Sequence, residues 1–105
     1  MKMSNVISAV VNKLITTYSP QKVIVFGSYA WGTPQRDSDI DICIIKNTRK
    51  KPVERFIEVQ KLTYGLHGLI PLEPLVLTPK ELKKRIQLGD PFVLRILKEG
   101  KTVYG

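Results

Sequence analysis

Cysteine is nearly absent, with Cys43 alone among 105 residues. That excludes an intrachain disulfide and any cysteine-built metal site. Cys43 lies inside an apolar run, where it reads as a small core residue. No apolar run approaches the ~20 residues of a membrane span. The opening Met1-Lys2-Met3-Ser4-Asn5 leads into an amphipathic pattern, not the apolar block of a signal peptide, so a cytoplasmic location is expected. There is no internal repeat, low-complexity tract or linker, and 105 residues suit one domain, 1–105, with a modest core. Acidic residues are scarce, 9 against 17 Lys and Arg, for a net charge of +8. The excess gathers at Lys46, Arg49, Lys50, Lys51 and Arg55, and at Lys80, Lys83, Lys84 and Arg85. Such runs most simply form a solvated face; the other readings are attraction of a polyphosphate, a nucleic acid or an acidic protein. No aromatic residue is interleaved with either run, so a stacking surface for single strands is not suggested.

What is there centres on Val23-Ile24-Val25-Phe26-Gly27-Ser28 and its sequel Asp39-Ile40-Asp41-Ile42-Cys43-Ile44-Ile45. The β-branched run before Gly27-Ser28 predicts a buried strand ending in a tight turn. Gly27 lets a phosphate approach the backbone closely. Ser28 should open a short helical turn to about Gly32, its hydroxyl and free N–H groups turned to that phosphate. Taken alone, Gly-Ser is an ordinary turn; the acids that follow change its meaning. A second strand is expected over residues 39–45, and alternation sends Asp39 and Asp41 to one face. Two adjacent carboxylates repel unless a cation sits between them, and magnesium, which takes a few carboxylates plus phosphate oxygens, meets that need. Ile40, Ile42 and Ile44 face the other way, toward helices.

Gly27-Ser28, ten residues, then Asp39-x-Asp41 resembles the signature of the DNA polymerase β-type nucleotidyltransferase superfamily. The short chain is similar to the minimal nucleotidyltransferases, antitoxin partners of HEPN-domain toxins. The resemblance implies an α+β fold, a small mixed β-sheet with helices packed on one face, and an opposite face open as a cleft that carries the acids. It implies Mg2+, two ions held by Asp39, Asp41 and Glu73, and ATP as substrate gripped by Gly27, Ser28 and Arg36. Trp31 stands where members commonly carry arginine. Asp37 reads as a loop or capping residue, and Thr33-Pro34-Gln35-Arg36 as the loop between the motif halves.

Around this centre the chain punctuates itself. Val6, Ile7, Val10, Val11, Leu14 and Ile15 form a helical stripe over residues 5–18, with Ser4 as N-cap and Ser19-Pro20 as its end. A helix over residues 52–64 opens on Pro52 and is expected to bury Val53, Phe56 and Ile57, with Val59, Gln60 or Tyr64 at its margins. His67, between Gly65 and Gly68, reads as an exposed loop histidine. Residues 69–77 are apolar except Glu73. A buried unpaired carboxylate is costly, and two readings of Glu73 follow. Either it protrudes into water from an edge strand, which Pro74 favours, or, as the resemblance implies, it is the third metal-binding acid ahead of the Thr78-Pro79 turn. Thr78-Pro79-Lys80-Glu81 is a capping box. Asp90-Pro91 starts a last helix with Phe92, Val93, Ile96 and Leu97 inward, and residues 101–104 suggest a terminal strand.

Three functions compete on these residues. One is a magnesium-dependent adenylyltransferase that moves AMP from ATP to a hydroxyl. The resemblance makes that acceptor a tyrosine of a HEPN-type toxin and the chain an antitoxin. The second is a binding module that silences a partner by contact alone. The third is a nucleotidyltransferase acting on nucleic acid or a small molecule. The chain has no length left to grip an acceptor, so a partner or a second copy is expected to supply it.

Overall fold

The two β-branched runs pair side by side as antiparallel strands. In the computed structural model, β1 (Lys22–Phe26) and β2 (Ile40–Ile45) run from Lys22 opposite Ile45 to Phe26 opposite Asp41. Backbone is described for residues 3–31 and 38–105, and side chains for residues 5–30 and 38–105. β3 (Leu72–Leu77) joins β2 in parallel, and β4 (Lys101–Tyr104) joins β1 antiparallel, giving the order β3-β2-β1-β4. The expected α+β fold with a small mixed sheet is therefore observed. Pro74 sits on the outer strand β3, where a missing backbone donor costs no ladder bond. No helix among the described residues is long and apolar enough to cross a membrane.

One face of the sheet is covered by α1 (Met3–Thr17) and α3 (Pro52–Thr63). Val6, Val10, Val11 and Leu14 of α1 and Val59 of α3 pack on Val23, Ile40, Ile42, Ile44, Leu72 and Val76. Fully burying one such side chain contributes about 1.5–3 kcal/mol, so this dry layer dominates the stability of the fold. α1 begins at Met3, which places Ser4 inside the helix instead of at its cap. It ends where Ser19 turns to a φ of 53° ahead of Pro20.

α3 presents a different side from the one its apolar residues suggested. Val53 is 63% exposed and Tyr64 88%, Phe56 and Ile57 are exposed too, and Arg55, Val59 and Thr63 are buried instead. These three are spaced i, i+4, i+8, one stripe of the helix. Arg55 belongs there because each of its three nitrogens finds an acceptor, Nη2 donating to Glu81 Oε2 (3.3 Å). Nε donates to the Lys50 carbonyl (2.7 Å), and Nη1 donates to the Val76 carbonyl (3.1 Å) and to Glu81 Oε1 (2.7 Å). Its methylene stem fills space as a hydrophobe would.

Among the described residues, the second face is covered only in part. α5 (Pro91–Glu99) lays Val93 and Ile96 on Ile24, Phe26, Cys43, Ile45 and Leu77. Helices on one face thus describes α1 and α3, and α5 adds a cover to half of the other. Phe92 and Leu97, expected inward with Val93 and Ile96, are exposed. Cys43 is core, as expected, and burial pushes its thiol up to about 12. α4 (Pro79–Gln87) starts with the capping box: Glu81 N–H donates to Thr78 Oγ1 (3.1 Å) and Thr78 N–H to Glu81 Oε1 (2.9 Å).

Candidate active site

β1 ends against the first acid-bearing strand, and Gly27 is the residue that allows it. Its φ is +76°, and a Cβ built there would fall inside the contact radius of Asp41 Oδ2. The missing side chain therefore makes room for a carboxylate of this same chain, a reason for glycine beyond the phosphate approach that the sequence suggested. Ser28 opens the four-residue helix α2 (Ser28–Trp31), as expected, with Ala30 N–H bonded back to the Gly27 carbonyl (3.0 Å). The first N–H groups of a helix have no partner within it. Tyr29 Oη donates to the Ser38 carbonyl (3.3 Å), which ties α2 to the residues that lead into β2.

The register sets the acids. Phe26 of β1 stands opposite Asp41 of β2, and Asp41 opposite Glu73 of β3, one row across the sheet. Cross-strand partners share a face, a few ångströms apart. Asp39 lies two residues before Asp41, just ahead of the strand. Asp41 is held above the ordinary carboxylate range, first by burial, then by the charges of Asp39 and of Glu73. Asp39 and Glu73 therefore both act on Asp41. The expectation that Glu73 needs a partner because it is buried does not hold, because its side chain is exposed. Its place is set by register beside Asp41, and it reaches water from the rim of a cleft.

That cleft, about 390 Å³, lies on the uncovered half of the second face, lined by Phe26, Gly27, Asp41, Glu73, Pro74, Leu75 and Phe92. Among the described residues, no three His, Cys, Asp or Glu side chains close on one point as a ready-made metal cage. The donor set itself fits a hard cation: oxygen ligands only, with a mutual repulsion that such an ion relieves. Arg36, Asp37, residues 33–35 and the side chains of Ser4 and Trp31 lie outside the described residues. His67 does not line the cleft; its Nδ1 is 2.6 Å from the Ile70 carbonyl oxygen in the turn before β3.

The first basic run largely dissolves into structure. Arg55 is buried, Lys50 pairs with Glu58 (2.7 Å), and Lys46 bonds the Tyr18 carbonyl while lying over its ring. In the second run, Lys80, Lys83 and Lys84 are exposed on α4, and Arg85 lies 3.8 Å from Asp90. What sequence reasoning missed was the aromatic wall. Phe92 looked like core because its helix is apolar, yet Val93 and Ile96 are the residues of α5 buried against the sheet.

The chain is also similar to known proteins along most of its length. The Putative protein adenylyltransferase MJ1305 of Methanocaldococcus jannaschii is 29% identical over 89 residues, 78% of this chain and 56% of that protein. The chain thus spans little more than half the length of this relative. The sequence pattern of the family described as nucleotidyltransferase domain matches residues 7–104, from α1 through β4. With Gly27-Ser28 at the end of β1 and Asp39 and Asp41 at the start of β2, the chain belongs to the nucleotidyltransferase domain family.

Proposed function

We propose that this protein is a magnesium-dependent adenylyltransferase that moves AMP from ATP to a protein hydroxyl, a tyrosine of a HEPN-type toxin partner, and so acts as an antitoxin. The observation that carries this reading is the single row Phe26–Asp41–Glu73, which sets paired carboxylates beside the Gly27-Ser28 turn in a cleft on the sheet. The relative whose name refers to adenylyl transfer onto protein supports the choice of acceptor class.

Transfer of a nucleotidyl group asks little covalent work of a protein; it asks for position and charge neutralisation. Asp39 and Asp41, with Glu73, would hold magnesium, which when bound supplies Lewis-acid stabilisation of the developing phosphate charge. The Ser28 hydroxyl and the first N–H groups of α2 bind the β- and γ-phosphates. The acceptor oxygen attacks the α-phosphorus, a new P–O bond forms, and the bond to the α–β bridging oxygen breaks. Pyrophosphate leaves with that electron pair. The acceptor's proton passes to a carboxylate at the site, either Glu73, exposed at the rim, or Asp41.

The test is incubation with magnesium and ATP labelled on the α-phosphate, with and without a HEPN-type protein encoded beside the gene. Label on a tyrosine of that protein, lost in Asp41→Asn, is the expected result. Silencing of the toxin with no label transferred would replace this reading by inhibition through contact. Label on RNA or a small molecule would redirect the acceptor.

A further inference from the structure

Among the described residues that line the cleft, Phe92 is a large one for which the chemistry of transfer gives no account. It stands in the first turn of α5 and is 50% exposed, a large apolar ring facing water in a functional cleft. It is not loosely placed. Asp90 Oδ1 accepts the N–H of Phe92 (3.0 Å) and of Val93 (3.3 Å), and Val93 and Ile96 fix the helix to the sheet. The ring meets that of Phe26 nearly at right angles, 84°, with centroids 5.7 Å apart. Phe26 is buried, precedes Gly27 in the chain and faces Asp41 in the register. The orientation of Phe92 is thereby tied to the acids and to the phosphate turn through one aromatic contact.

We propose that the ring of Phe92 is the platform on which the nucleobase of the substrate stacks, with Pro74 and Leu75 completing an apolar wall. This deepens the proposed function and rests on it, since the phosphates must lie at Gly27 and Ser28. A nucleoside joined to phosphates held there is tethered beside the cleft, whereas a free acceptor is not, and this favours the base over the acceptor as the ring's partner. The cleft is of the size that small-molecule sites commonly have, about 300–1,000 Å³. Stacking on an aromatic ring needs no matching hydrogen bonds, so an apolar wall is sufficient to hold a base.

The test compares two probes by calorimetry in the presence of magnesium: ATP, which has a base, and inorganic tripolyphosphate, which has none. Phe92→Leu keeps an apolar side chain against Phe26 but loses the flat ring, and Phe92→Trp keeps one; thermal melts confirm that both fold. The expected result is that Phe92→Leu weakens ATP binding on the order of tenfold, leaves tripolyphosphate unchanged, and that Phe92→Trp binds ATP as wild type does. Equal loss for both probes would show a structural role and overturn the platform. Wild-type ATP affinity in Phe92→Leu, or a raised KM for the acceptor with that for ATP unchanged, would overturn the platform while leaving nucleotidyl transfer intact. Failure of wild type to bind either probe would overturn the platform together with the reading on which it rests.

Discussion

The two faces of one four-stranded sheet are built to opposite rules. On the face under α1 and α3, β2 contributes Ile40, Ile42 and Ile44, every one of them fully buried. On the other face the same strand contributes Asp41, Cys43 and Ile45, and the apolar cover of α5 stops short of the acid. A single strand therefore serves stability with its even-numbered residues and chemistry with the odd-numbered one at its open end. The difference teaches where function can be housed in so small a chain: on the half-face that the core does not need.

Neighbours in sequence should then fail in opposite ways. Asp41→Asn is expected to lower transfer at least a hundredfold, as loss of an electrostatic group acting on the transition state commonly does, while melting no lower than wild type. Wild type should gain stability from magnesium and ATP, about 2.7 kcal/mol at a hundredfold excess over Kd, and Asp41→Asn much less. Thermal melts with and without ligand, beside a transfer assay, check both; a destabilised, ligand-blind pair of proteins would dissolve the contrast. Ile42→Ala should lose about 2–5 kcal/mol of stability by the cavity it leaves. Its folded fraction should transfer at nearly the wild-type rate, as read from denaturant unfolding and assays at low temperature.

Gly27 sits where the two rules meet. Gly27→Ala is expected to cost about 1–3 kcal/mol from its left-handed backbone, and more from the collision with Asp41. The collision part should vanish in the background of Asp41→Gly, so a double-mutant cycle separates it. Additive losses would show that the backbone angle alone requires glycine.

The smallest expected effect is in acid. Asp41 is raised in the folded protein by burial, Asp39 and Glu73, so folding takes up protons between its unfolded and folded values. The cost of the buried, repelled charge is complete above the raised value, fades as pH falls through it, and is gone below the ordinary carboxylate range. Without magnesium, the stability of wild type relative to Asp41→Asn should therefore rise as pH is lowered through that window. A flat difference across a pH series of denaturant titrations would mean that Asp41 bears no such cost.

Much of this was legible in the residues because it is local. Strand alternation put Ile40, Ile42 and Ile44 on the core side, Pro74 announced an edge strand, and Thr78-Pro79-Lys80-Glu81 spelled the start of α4, each through the conformational preferences of a few adjacent residues. The motif Gly27-Ser28 with Asp39 and Asp41 likewise pointed to the family, since a turn and a strand start have short sequence signatures. Only the tertiary structure decided which side of α3 is buried, because an arginine becomes a core residue when Lys50, Val76 and Glu81 offer acceptors from three separate segments. It alone put Phe92 in the cleft wall, because how far a helix covers a sheet depends on the residues beneath it and not on the helix's own pattern. And it alone set Glu73 level with Asp41, because the register between two parallel strands is fixed by packing across the whole sheet, a sum of contacts that no stretch of the chain contains by itself.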